Sequence, residues 1–230
     1  MTIAEIQVES IDDDCVTIEL QIDSQTSALL VIDIQKDFCD PDFACGKSGR
    51  DLSPIHDMVA KRLLPFLQQT RAANILTVYL AAQYPMGKFS VDGLAELCLE
   101  GSPGAELYLI QPDANSTRER IFFKSELNAF SNPELQSCLA GERIEQILIA
   151  GVATDKCVRA TVLAARSMGY RVIVLSDLVA AGTHRRREHN ETLGYLAAQP
   201  GIGVLSSAEI RFELDGRSFP GKRPRSAILG

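Results

Sequence analysis

The stretch LIAGVATDKCVRATVLAARSMGYRVIVLSD, residues 148–177, decides how the chain reads. It opens on apolar β-formers that stop at Gly151, crosses a short turn, and becomes an amphipathic helix over 155–169. Gly169 predicts the end of that helix, since glycine takes the left-handed backbone of a helix C-terminus without a Cβ penalty. RVIVLSD then reads as another strand. Strand, helix and strand in that order predict a right-handed crossover between parallel strands. The Cys157 thiol stands near the start of the helix, at the end of the chain's first-read strand.

The same alternation recurs on either side. ALLVIDI (28–34) is a continuous, partly β-branched apolar run, as expected of a strand buried on both faces. DMVAKRLLPFLQQTRAAN (57–74) has helical spacing, with Pro65 predicting a kink or register defect. ILTVYLA (75–81) and RIFFK (120–124) are further strands. In NPELQSCLA, Asn132 caps a helix whose first turn holds Pro133. EQILIAG (145–151), RVIVLSD (171–177) and IGVLSS (202–207) complete six strands, with RREHNETLGYLAAQ (186–199) a helix between the last two. The expected fold class is α/β: a single three-layer α/β/α domain over 28–210 with a six-stranded, mostly parallel, Rossmann-like sheet. Residues 84–119, rich in Gly, Pro and Ser, predict a long excursion over the sheet edge.

Composition bounds the function. A chain of 230 residues with 46% hydrophobic content can build one α/β core. No window approaches the ~18 unbroken apolar residues of a membrane span. The opening MTIAEIQVESIDDDC lacks a basic and then apolar leader, so no secretory signal is expected. Six cysteines at 15, 39, 45, 98, 138 and 157 show no metal-knuckle spacing and read as reduced thiols of a cytoplasmic protein. A net charge of −7 gives no electrostatic reason to expect nucleic acid. The charge is uneven: 1–27 holds seven acids and no Lys or Arg, whereas 211–230 holds five basic residues against Glu213 and Asp215. These segments are expected to be an acidic N-terminal extension and a basic C-terminal tail. The alternation of VTIELQID (16–23) predicts an edge strand and a meeting of the two ends, within or between subunits.

In open parallel sheets, chemistry collects where strands deliver their carboxyl ends. Those ends yield Asp33 and Asp37, Lys124, the turn before Cys157, and Asp177 with His184. A buried Asp33 must find a partner, and Lys124 is the candidate, as a structural pair or a functional one. Near a helix N-terminus and beside a lysine, Cys157 is expected to favour its thiolate. His184 is a weaker candidate base, and His189 reads as packing on a helix. The run Arg185–Arg187 reads as a solvated helix start or a carboxylate-orienting group.

ALLVIDIQKDF, FFKSELNAF and IAGVATDKCVRATVLAARSMGYRVIVLSD resemble the signature blocks of the isochorismatase-like cysteine hydrolases, over roughly 28–206. The resemblance implies a catalytic triad of Asp33, Lys124 and Cys157, a cis peptide at Val152–Ala153, and an oxyanion hole from the N–H groups of Ala153 and Cys157. It also implies that Phe38 and Phe130 line the substrate pocket. The implied reaction cleaves the C–N bond of a small carboxamide, carbamoyl or ureido compound through a thioester. The family's alternatives are vinyl-ether hydrolysis of the isochorismatase type or a catalytically silent binding and assembly role. Nicotinamidase relatives carry a metal site after the second strand. Here those ligand positions fall on Ala82, Tyr84 and Lys88, so no metal and no cofactor is expected. The family also implies a homo-oligomer, a dimer or tetramer.

Overall fold

The computed structural model describes residues 6–8, 18–87, 90–91 and 93–212. Six strands form the central sheet: β1 (Ser27–Ile32), β2 (Leu76–Ala82), β3 (Glu119–Lys124), β4 (Gln146–Val152), β5 (Arg171–Ala180) and β6 (Ile202–Leu205). Their order is β6-β5-β4-β1-β2-β3, and every neighbouring pair is parallel. The sheet therefore grows outward in both directions from β1 and β4. Connections leaving these two strands diverge to opposite faces and open a crevice at their carboxyl ends.

All residues of β1, β2 and β4 are buried, which explains their unbroken apolar reading. Successive side chains point to opposite faces. Leu29, Val31 and Tyr79 join a core with Met58, Phe66 and Leu67. Leu30, Ile32 and Val78 join a second core with Leu135, Leu139 and Val162. Each fully buried aliphatic side chain of this kind contributes about 1.5–3 kcal/mol.

The helical run at 53–72 contains the expected defect. A π-helical turn, Val59–Leu63, interrupts it, with the Leu64 N–H reaching back to the Val59 carbonyl just before Pro65. Asn132 caps the helix Pro133–Gly141, its side chain accepting from the Glu134 N–H at 2.8 Å.

The two ends meet within one chain. Ile18–Ile22 pairs in parallel with Ile210–Phe212 and antiparallel with Ile6–Val8. Glu19 and Arg211 form an ion pair at 2.6 Å across the junction. Ile22 and Ile210 are buried against the first core. The boundary at 210/211 thus runs through this small sheet, and the one at 27/28 falls inside β1 of the central sheet. The rest of the expected extension and tail, residues 1–5, 9–17 and 213–230, lies outside the described residues.

Gln35, fully buried, fixes the long excursion to the sheet. Its Nε2 donates to the carbonyls of Ala82 and Ala105 at 2.8 and 2.7 Å, and its Oε1 accepts from the Ala82 N–H at 2.7 Å.

Candidate active site

Three strand tips build the site. β1 stops at Ile32, and Asp33 takes a left-handed backbone, φ 53°. That conformation costs a non-glycine residue about 1–2 kcal/mol. The Asp33 carboxylate is buried, and its Oδ2 accepts from Lys124 Nζ at 2.9 Å. Lys124 ends β3, where its register partner is Ala82 at the end of β2. The ammonium also donates to the Glu126 carbonyl at 3.0 Å. The second Asp33 oxygen, Oδ1, is buried and takes no hydrogen bond among the described residues.

Cys157 comes from the third tip. The Val152–Ala153 peptide after β4 is cis. The chain then makes a π-helical turn, Thr154–Val158, before the α-helix Arg159–Ser167. Gly151 lets this tip lie against β1: its φ is 129°, and a Cβ there would sit 2.2 Å from the Ile32 carbonyl oxygen. Only glycine allows that approach.

The thiol is buried, and its electrostatics correct the expectation of a resting thiolate. Burial pushes the Cys157 pKa up, the Asp33 charge raises it further, and Lys124 pulls it down without prevailing. For Lys124, burial alone would lower the pKa, but the charges of Asp33 and Cys157 outweigh it and the value is raised. Burial and the neighbouring carboxylate thus favour the protonated form of the sulfur.

Contacts hold the turn Thr154–Val158 from behind. Buried Thr154 Oγ1 lies 2.8 Å from His189 Nδ1. Arg185 Nε donates to Asp155 Oδ2 at 2.8 Å. His189, whose pKa burial lowers, thus supports the turn from the helix Arg186–Ala197, as packing of that residue implied. The Thr154–His189 contact spans 35 positions and has no local sequence signal.

Asp33 and Cys157 lie at a cleft of about 620 Å³, part of it open to solvent, with Phe38 and Leu97 among its apolar walls. His184 and Arg185 line it too. Phe130 does not, contrary to the expectation for that residue. The Asn128 side chain and Thr161 Oγ1 hold its short turn against the second core, and its ring stacks on Tyr170 at 6.0 Å. Asp37 is structural: its carboxylate accepts from the N–H groups of Ala44 and Cys98 at 3.3 and 2.7 Å. Asp177 is also drawn elsewhere, bonding the N–H and hydroxyl of Ser207, each at 2.7 Å.

The positions at which a metal was considered offer poor donors. Ala82 has none, Tyr84 is a buried phenol, and Lys88 lies outside the described residues. Among the described residues, no group of three or more His, Cys, Asp and Glu could hold a metal ion. Also among them, no helix is long and apolar enough to cross a membrane. The five described cysteines are free.

Known proteins share this arrangement of elements. A streptothricin hydrolase of Streptomyces noursei is 31% identical over 150 residues, covering 65% of this chain and 52% of that protein. The chain therefore spans about half the length of that relative. The nicotinamidase of Escherichia coli is 29% identical over 182 residues, covering 65% of this chain and 81% of that enzyme. The crystal structure of an isochorismatase family protein from Desulfovibrio vulgaris superposes with a TM-score of 0.66 at 23% identity, covering 79% of this chain and 94% of that one. This last likeness concerns the fold alone. The Isochorismatase domain matches residues 27–209, from the first strand of the parallel sheet to the turn after the last, and the chain belongs to that family.

Proposed function

We propose that this chain is a metal-independent cysteine amidohydrolase, acting on a small carboxamide, carbamoyl or ureido compound. One observation carries the reading: a buried Lys124–Asp33 pair at 2.9 Å adjoins a buried thiol on a substrate-sized cleft. A structural ion pair would gain nothing from that neighbour, whereas a nucleophile with a raised pKa needs a base within reach. The streptothricin hydrolase and nicotinamidase relatives point to the same chemistry.

Asp33, with Oδ1 open, takes the thiol proton as the sulfur attacks the substrate carbonyl. Lys124 holds the carboxylate and favours the developing thiolate. The carbonyl oxygen, now negative, accepts hydrogen bonds from the N–H groups of Ala153 and Cys157, each donor of this kind contributing about 2.7–4 kcal/mol. The C–N bond breaks, and protonated Asp33 delivers its proton to the departing ammonia or amine. Asp33 then takes a proton from water, which attacks the thioester and releases the acid. Free thiols fit a reducing, cytoplasmic setting.

The test is ammonia release from a panel of small amides and ureas, with Cys157→Ala alongside. Wild-type protein quenched during turnover should carry an acyl group by intact mass. The variant should melt at the wild-type temperature, carry no acyl group and release no ammonia. Near-native turnover by the variant would end the covalent route.

A further inference from the structure

We propose that His189 is a positioning residue for the reaction: its hydrogen bond with Thr154 sets the turn that carries Cys157 against Asp33 and Lys124. The proposal rests on the amidohydrolase reading and deepens it. Asp33 and Lys124 act on the sulfur through hydrogen bonds as well as charge, so a small displacement of the turn changes what the thiol meets. Two bonds inside the turn close it locally, from the N–H groups of Lys156 and Val158 to the Ala153 carbonyl at 2.9 and 3.3 Å. Being internal, they do not fix its tilt against the sheet.

That tilt is held from the helix Arg186–Ala197. Thr154 opens the turn, and its fully buried hydroxyl must find a partner. The partner is His189 Nδ1, at 2.8 Å. Asp155, next along, accepts from Arg185 at the start of the same helix. Two consecutive residues just before the nucleophile are thus gripped from one element. Burial lowers the His189 pKa against the opposing pull of the Asp155 charge, so the imidazole is neutral at neutral pH. A neutral ring offers one donor and one acceptor nitrogen, and a hydroxyl can meet either. His189 also borders a surface hollow with Arg62, Arg186 and Asn190, so its ring can be exchanged without opening the core around the sheet. A misplacement of about 1 Å at the reacting atoms costs on the order of 10²-fold in rate. The bond is therefore placed to govern rate more than substrate affinity.

Paired substitutions separate positioning from packing. Thr154→Val exchanges the hydroxyl for a methyl group, and His189→Phe keeps a ring without its nitrogens. Thr154→Ser and His189→Asn retain groups that can make the bond. For each, kcat and KM are measured by ammonia release from an amide that the wild type hydrolyses, and melting temperature alongside. The rate of Cys157 alkylation by iodoacetamide, followed by peptide mass spectrometry, needs no substrate. Thr154→Val and His189→Phe should each lower kcat by about 10- to 100-fold with little change in KM, and slow alkylation as well. Thr154→Ser and His189→Asn should recover most of both rates. The double variant should be no slower than the slower single one, because both changes remove the same bond. Variants that melt lower but keep the wild-type kcat and alkylation rate when folded would overturn the proposal, leaving His189 a packing residue of an intact amidohydrolase. Conservative variants as slow as the others would overturn it too. A wild type whose Cys157 is alkylated but which hydrolyses no amide would end the amidohydrolase reading, and the alkylation rates would then decide the positioning alone. Neither turnover nor alkylation in the wild type would end both.

Discussion

Strand β3 carries a buried charge at each end, and the two are treated differently. At its start, the Glu119 carboxylate is saturated. Arg71 donates from Nε at 2.6 Å and from Nη2 at 3.3 Å, the Tyr79 hydroxyl at 3.1 Å and the Asp113 N–H at 2.9 Å. At its end, Lys124 meets an Asp33 carboxylate that keeps one oxygen open beside a thiol. The first arrangement satisfies every acceptor, as a group whose task is to hold the edge strand must. The second leaves a buried acceptor unsatisfied, which costs free energy unless something else uses it. The amino end of β3 has every acceptor satisfied, whereas the carboxyl end keeps one acceptor open, as the proposed proton transfer requires.

The sharpest way to break the contrast is to remove the acceptor. Asp33→Asn keeps the shape and a possible contact with Lys124 but cannot take the thiol proton. We expect kcat for amide hydrolysis to fall by about 10²–10⁴-fold in the folded protein, with a lower melting temperature as well, because the buried Lys124 ammonium loses its counter-charge. A comparable rate in the variant would move the base elsewhere, with His184 next on the cleft wall. Lys124→Met has the next largest effect and strikes stability as well. It leaves Asp33 buried without its partner, a change expected to cost about 3–5 kcal/mol in urea unfolding, with activity lost in the fraction that remains folded. A stable, active Lys124→Met protein would show that this pair is dispensable.

The central sheet was readable because its strands have a local signal, and Asp33, Lys124 and Cys157 could be named from their places at or after strand ends. Unbroken apolar runs marked β1, β2 and β4, and β1 stops just before Asp33 while β4 leads into the turn of Cys157. Other features depend on distant contacts. Asp177 looked like a strand tip, but β5 continues to Ala180, its register against β4 shifting between Ile149 and Gly151. The carboxylate is thereby left to hold Ser207. Phe130 sits in a motif block yet faces the second core, because Thr161 and Asn128 hold its turn. The raised pKa of Cys157 could not be read from its place near a helix start, because it comes from burial by residues far away in sequence.

The smallest effect sharpens the comparison through pH. Burial alone would raise the Glu119 pKa, but the Arg71 hydrogen bond, the Asp113 N–H and the Arg71 charge outweigh it and hold it below the ordinary value. A carboxyl with a depressed folded value binds its proton more readily when the chain is unfolded. Its stabilisation is therefore present above the unfolded value and is lost as pH falls through the folded one. Lys124, raised above its ordinary value, has the opposite sign: its contribution is present below the unfolded value and lost as pH rises through the folded one. Glu119→Gln should thus cost about 1–3 kcal/mol at neutral pH, leave kcat unchanged, and flatten only the acid limb of stability against pH. Urea midpoints measured across that range check it. If Glu119→Gln lowered kcat as far as Asp33→Asn, the two ends of β3 would be one network, and the division between a resting end and a working end would fail.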